Sequence, residues 1–376
     1  MVIAIDLRAL GTPGGIHEYI LRLVPELVRL DRTIKFKLFF NSYSQKLRWL
    51  EDEPNVEWHQ FAYPNRWLMF SSRIFFGPKL DQLVGGADVW FTPHLFVTAL
   101  SPRCKQVITF HDLAWLRYPE FFTRRQNWWH RWQAPGLQAK RAGKLIAVSQ
   151  STADDLREFY NLPAEKISVI HSGIGSEFFE VRPQLIEDGP QRNLPEKYFL
   201  SLGTIEPRKN IAGVVRAFDT LKTSGQVGAD AHLVIAGNLG WDYAEVKNLI
   251  TKSSWQKQIK LLGAIKPENL PELYQRAKVF VYPSFFEGFG FPPLEAMASG
   301  VPVIAGNNSS FPETLGQAAL LVDSYSQTEL ATAMAAAWND QSLRSKLIAN
   351  GQKQSKNFSW QKAAEETLSV LIRSAQ

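Results

Sequence analysis

Glu287 and Glu295 bracket the segment EGFGFPPLE. A carboxylate accepts two hydrogen bonds from a vicinal diol, and a sugar attached to a nucleotide offers such diols on both its ribose and its hexose. Gly288 and Gly290 permit close backbone approach to a ligand, and Pro292 and Pro293 suit a loop that enters a helix at Leu294. The spacing therefore predicts Glu287 on a loop and Glu295 in the first helical turn. Taken alone, the pair is equally open to a second reading, in which Glu295 complements the helix dipole and Glu287 is solvated.

Other residue clusters suit phosphate. Arg208 and Lys209 stand in GTIEPRKN (203–210), between a strand end and a helix expected to start near Asn210. A diphosphate there would meet two cations and unpaired backbone N–H groups, an arrangement that stabilises a leaving group. A solvated basic turn is the commoner fate of such a pair. Gly11–Gly15 (GTPGG) follows the first apolar run and opens the first helix, so its backbone can approach phosphate. It lacks both the G-x-G-x-x-G spacing and a Gly-Lys-Ser/Thr, which argues against dinucleotide and P-loop readings. His111 and Asp112 end another apolar run, at the strand edge where ligands collect in open parallel sheets; a histidine there can donate to a substrate hydroxyl, or be a hydrogen-bonded loop residue. The stretch from Arg117 to Lys144, both included, contains seven basic residues and one acid, Glu120, interleaved with Phe121, Phe122, Trp128, Trp129 and Trp132. That mixture suits an anionic membrane surface or a lipid-phosphate acceptor, and also an ordinary helix; some of the tryptophans are expected in the core.

The elements that must position these groups alternate along the chain. Strands are expected at 2–7, 35–40, 88–92, 106–110, 144–148 and 167–170, with helices such as 16–30 and 153–160 between them. Residues 180–197, with three prolines and no periodicity, read as a linker. A second series follows, with strands at 198–202, 232–236, 259–262, 279–282, 302–304 and 319–322, and helices at 327–338, 341–351 and 360–372. This alternation predicts an α/β protein with two doubly wound parallel sheets, whose switch-point crevices would form one cleft if they face each other. A length of 376 residues fits two cores, and 45% hydrophobic with 21% charged residues fits a compact chain. The net charge of +6 tolerates anionic partners without choosing one, and the absence of a basic tail or RNA-binding signature argues against nucleic acid. The single Cys104 excludes an intrachain disulfide and a cysteine-based metal site, and the cytoplasm is the expected compartment. No stretch approaches the ~20 apolar residues of a spanning helix, so membrane contact is expected to be peripheral, on the inner face.

In combination, Gly14–Gly15, His111–Asp112, AVSQST (147–152), EPRKN (206–210), the E-x7-E of EGFGFPPLEAMASGVPVI and FSW (358–360) resemble the family-four retaining glycosyltransferases of GT-B fold. The match in order and spacing covers essentially the whole chain. The resemblance implies a Rossmann-like acceptor domain at 1–185, a nucleotide-sugar domain at 195–357, and a helix at 358–376 that returns to the first domain. It implies that Glu295 binds the ribose hydroxyls, while Glu287, beside Gly288 and with the amides of Phe289 and Gly290, holds the donor sugar. Arg208 and Lys209 would bind the diphosphate with the amides of Gly14 and Gly15, and His111 would contact the sugar near its reacting carbon. Thr204 stands where many relatives carry arginine, which passes that role to Arg208, and His171–Ser172–Gly173 replaces the more usual Pro-Asn-Gly. The expected reaction is hexosyl transfer with retention to a glycan or lipid-linked oligosaccharide in polysaccharide biosynthesis. UDP-glucose or another UDP-hexose is the first choice of donor and GDP-mannose the next. No cofactor and no metal are expected, and no Asp-x-Asp occurs. A non-catalytic sugar-nucleotide-binding protein and a nicotinamide-dependent oxidoreductase are the alternatives.

Overall fold

The computed structural model describes residues 1–11, 14–42, 50–180, 194–241 and 243–376. Thr12 and Pro13 of the glycine loop and most of the expected linker lie outside the described residues. The chain divides into two compact units, one of Met1–Gly173 with Ser359–Gln376 and the other of Ile174–Phe358.

The first unit is built on seven parallel strands: β1 (Val2–Asp6), β2 (Lys35–Asn41), β3 (Val56–Phe61), β4 (Val89–Thr92), β5 (Lys105–Phe110), β6 (Lys144–Ala147) and β7 (Ile167–Val169), in the order β3-β2-β1-β4-β5-β6-β7. Strands covered on both faces are near-continuous apolar runs, as in the fully buried VWFT of β4. The sequence reading missed β3 because the adjacent His59 and Gln60 break the alternation of VEWHQF and none of its residues is fully buried. This edge strand is held by its register with β2, Phe36 opposite Val56 through Asn41 opposite Phe61.

The last helix, Trp360–Ala375, belongs to this unit. Trp360, Ala363, Ala364, Leu368, Val370 and Leu371 form its buried face at helical spacing, and the Trp360 ring meets Tyr19 of the helix Gly15–Leu30 edge-on at 5.8 Å. Gly173 permits the approach: a Cβ there would overlap the Trp360 backbone.

The second unit has six parallel strands: β8 (Tyr198–Leu202), β9 (His232–Ala236), β10 (Ile259–Gly263), β11 (Val279–Tyr282), β12 (Val303–Gly306) and β13 (Leu320–Val322), in the order β10-β9-β8-β11-β12-β13. Its core joins the helices Ile211–Thr223 and Gln327–Asn339 to one sheet face, with Phe199 stacked on Trp338 at 4.4 Å. Both sheets are doubly wound. The strand order reverses between β1 and β4 in one and between β8 and β11 in the other, and ligands bind beyond the carboxyl ends of strands at such points. Among the described residues no helix is long and apolar enough to cross a membrane.

Candidate active site

At the switch point of the second unit, β8 leads into Gly203 and Thr204 and β11 into Ser284–Glu287. Gly203 adopts φ 141°, a conformation that favours glycine, and its N–H donates to Ala236 O at 2.9 Å. Thr204 follows, its methyl close to Gly240, where a Cβ would lie 3.0 Å away.

The loop then turns through Pro207–Lys209 to Asn210, left-handed at φ 52°, which caps the helix Ile211–Thr223 by accepting from Gly213 N at 3.2 Å. Asn210 also ties this loop to the neighbouring strand ends, donating through Nδ2 to Ser324 O at 2.8 Å and Pro283 O at 3.3 Å. Phe285 N donates to Arg208 O at 2.8 Å. Because of this stitching, residues some 80 positions apart share one buried cluster.

The Glu287 carboxylate is its centre. Oε2 pairs with Arg208 Nη1 at 2.8 Å, while Oε1 accepts from Lys209 Nζ at 2.5 Å, Ser284 Oγ at 2.7 Å and Tyr282 OH at 3.1 Å. Lys209 Nζ also donates to Tyr282 OH at 2.6 Å. On its outer edge Arg208 is held by Glu206, through Nη2 at 2.8 Å and Nε at 3.2 Å, and Nη1 donates to Phe286 O at 2.8 Å. The Glu287 amide donates to Ser309 Oγ at 3.0 Å, and Ser309, left-handed at φ 48°, donates in turn to Asn308 Oδ1.

Burial alone would raise the Glu287 pKa, but the Arg208 guanidinium and the Lys209 ammonium outweigh it and hold the carboxyl at about 2. Lys209 is lowered from its ordinary value by burial and by Arg208, with Glu287 opposing. Burial, and then the Glu287 charge, raises the Tyr282 phenol, so it stays a neutral donor. Two cations and two carboxylates, Glu206 included, leave the cluster without net charge. It can therefore act on a ligand through directed, preorganised donors and acceptors rather than through a net positive field.

Glu295 stands outside this cluster and accepts from Tyr274 OH at 2.8 Å. Its helix runs Phe291–Ala298, starting three residues earlier than expected, so Glu295 lies in the second turn and not the first. Gly290, at φ 91°, makes the turn, and the prolines at 292 and 293 occupy first-turn positions whose missing N–H groups cost no helical hydrogen bond. The dipole-complementing reading of Glu295 thereby loses its basis, since that effect fades beyond the first turn. Between the two acids, Gly288 and Phe289 complete the loop; the Phe289 ring is buried against Phe291 at 5.1 Å and Phe358 at 5.6 Å.

In the first unit, Gly14 at φ 147° opens the helix Gly15–Leu30 without a side-chain cap, and Gly14 and Gly15 are exposed. His111 follows β5, its ring edge-on to Tyr19 at 4.8 Å and its Nε2 2.8 Å from Pro93 O. A carbonyl oxygen only accepts, so Nε2 carries the proton. Burial lowers the His111 pKa and keeps the ring neutral, which leaves Nδ1 as an acceptor. The expected ring donor is thus committed to the backbone.

The profile described as Glycosyltransferase Family 4 matches residues 13–178, and that described as Glycosyl transferases group 1 matches residues 184–354. The chain belongs to glycosyltransferase family 4. The O-antigen chain mannosyltransferase B of Escherichia coli is 28% identical to this glycosyltransferase over 95% of both chains. The O-antigen chain mannosyltransferase RfbU of Salmonella typhimurium is also 28% identical, over 85% of this chain and 86% of its own. The fold is GT-B: the structure of Anabaena HepE with UDP and glucose superposes with a TM-score of 0.74 over 99% of this chain and 100% of its own, at 19% identity.

Sequence reading of the glycosyltransferase overlooked Tyr282 and Ser284, which donate to Glu287 Oε1, Ser309, which accepts from the Glu287 amide, and Glu206, which aims Arg208. Tyr282 and Ser284 carried a usable signal, since one ends the strand that leads to Glu287 and the other stands in the short loop between. Ser309 carried none, because its contact depends on how β12 and β11 pair.

Proposed function

We propose that this glycosyltransferase moves a mannosyl residue from GDP-mannose, with retention, to a hydroxyl of a growing glycan or lipid-linked oligosaccharide in surface-polysaccharide assembly. The observation that carries the proposal is the Glu287 carboxylate, buried, ionised and fixed between Arg208 and Lys209 at the switch point of the second unit. An acceptor of that kind is suited to sugar hydroxyls, and adjacent fixed donors are suited to a departing diphosphate. The two named O-antigen relatives support mannose over the UDP-glucose that the sequence alone puts first. A UDP-hexose remains the competing donor.

In this mechanism Glu287 orients the donor hexose and Glu295 binds the ribose diol. Arg208 and Lys209 stabilise charge on the leaving diphosphate, and the backbone amides of Phe289 and Gly290 hold the donor sugar beside Glu287. The acceptor hydroxyl attacks from the leaving-group face and passes its proton to a phosphate oxygen, a route that requires no metal. Losing one preorganised donor to developing charge costs about 3–4 kcal/mol, roughly 10²–10³ in rate. We assign His111, Gly14 and Gly15 to the same donor, with His111 Nδ1 accepting from a sugar hydroxyl.

A thermal-shift panel tests the donor. GDP-mannose at 100 times its Kd should add about 2.7 kcal/mol of apparent stability, whereas UDP-glucose and nicotinamide cofactors should add little. A larger shift with UDP-glucose would reassign the donor, and one with a nicotinamide would favour the oxidoreductase reading. Turnover of donor only when acceptor is present would exclude a non-catalytic binding protein.

A further inference from the structure

The helix Asn65–Ile74 is inside out. Its buried side carries Leu68, which anchors it on the first unit's core, and Met69, but also Ser71 and Ser72. Its outward side carries Trp67, Phe70 and Ile74, at the i, i+3, i+7 spacing of one helical face, and each is about half exposed. The chain continues this face with Phe75, 72% exposed, and Phe76, 52% exposed. Such a surface is costly in water, and contiguous apolar patches of this kind mark interaction sites.

Charge identifies the partner. From Trp58 to Leu80 the sequence holds Arg66, Arg73 and Lys79 and no acid. Arg141 lies over the Phe76 ring at 5.5 Å, linking the patch to a second stretch, residues 121–153, that also contains no acid. That stretch includes the helix Arg124–Trp132, which buries none of its residues and exposes Trp128 by 62%. The expectation that some of these tryptophans form core is thereby corrected: they stack on one another, Trp128 and Trp129 each against Trp132, at the surface. A self-complementary dimer through the patch would bring like charges together. An anionic bilayer satisfies both features, since aromatic side chains settle at the headgroup boundary and arginines pair with lipid phosphates.

We propose that the outward face of Asn65–Ile74 with Phe75 and Phe76 is a docking surface for anionic membranes, inserting its aromatic side chains at the headgroup level. The proposal deepens the lipid-linked acceptor reading and rests on that reading only for its purpose. Vesicle co-sedimentation tests it, with the full chain, on pure phosphatidylcholine and on an equimolar mixture with phosphatidylglycerol. The wild type should bind the anionic vesicles and not the neutral ones. F70S/F75S should weaken that binding by about tenfold or more, and R66E/R73E should abolish it. All four positions lie outside the candidate active site, so thermal stabilisation by the nucleotide sugar should be unchanged in both variants. No anionic binding by the wild type, or binding unaffected by both variants, would overturn the proposal. A dimer in solution that F70S/F75S dissociates would overturn it in favour of a second copy. Vesicle binding without donor turnover would sink the transferase mechanism alone, and turnover without vesicle binding would sink this surface alone.

Discussion

The donors around the Glu287 carboxylate are unevenly divided between its two oxygens. Three converge on Oε1, which leaves Oε2, shared only with Arg208 among the contacts described above, as the oxygen to meet a sugar hydroxyl. Glu287→Gln keeps the shape but leaves the buried Lys209 without its carboxylate and Arg208 with Glu206 alone; transfer should fall by roughly 10²–10³ and stability by about 3 kcal/mol, read by donor turnover and denaturant titration. The same side chain imposes a pH dependence. Its folded-state pKa of about 2 lies below the ordinary 4.5, so its contribution is fully present above about pH 4.5 and disappears as the pH falls towards 2. Stability measured against pH should drop across that window in the wild type more steeply than in Glu287→Gln. Tyr282→Phe removes one of the Oε1 donors and also the oxygen that receives Lys209. It should cost about 1 kcal/mol of stability and reduce turnover less than the glutamine does, with rescue impossible by raising the donor concentration if the effect is on orientation.

At the scale of elements, the helix Phe291–Ala298 is the piece that fixes the distance between the two acids. Its start depends on Gly290, where φ is 91° and a Cβ would come within 2.6 Å of the Phe311 ring. Gly290→Ala should therefore destabilise the second unit by about 2 kcal/mol, seen as a lower Tm, and should raise KM for the donor by misplacing Glu295. The sequence made that loop legible as a site but placed the helix start too late, because two adjacent prolines read equally as loop and as first turn. Strands buried on both sides, such as β11, were legible from apolar runs alone. The edge strand β3 was not, since half-exposed residues leave no contrast for periodicity to detect. Arg208 and Lys209 were legible as cations next to a helix start, whereas their pairing with Glu287 was not. That pairing comes from the parallel adjacency of β8 and β11, which local sequence does not encode.

For the whole molecule, the arrangement of most consequence is that the first unit is discontinuous in sequence, with its closing helix contributed by Ser359–Gln376. Truncation before Ser359 would uncover Tyr19 and the apolar face of the helix Gly15–Leu30. In calorimetry the first unit's transition should be lost or sharply lowered, while that of the second unit, which has its own core, persists. Synthesis meets the same situation on every chain. After Gly173 leaves the peptidyl-transfer centre, the ribosome must still add all of the second unit before Ser359 is made, which at ~5–20 residues per second takes on the order of ten to forty seconds. Through that interval the nascent amino-terminal sheet lacks the helix that covers one greasy flank, so its folding cannot finish until translation ends.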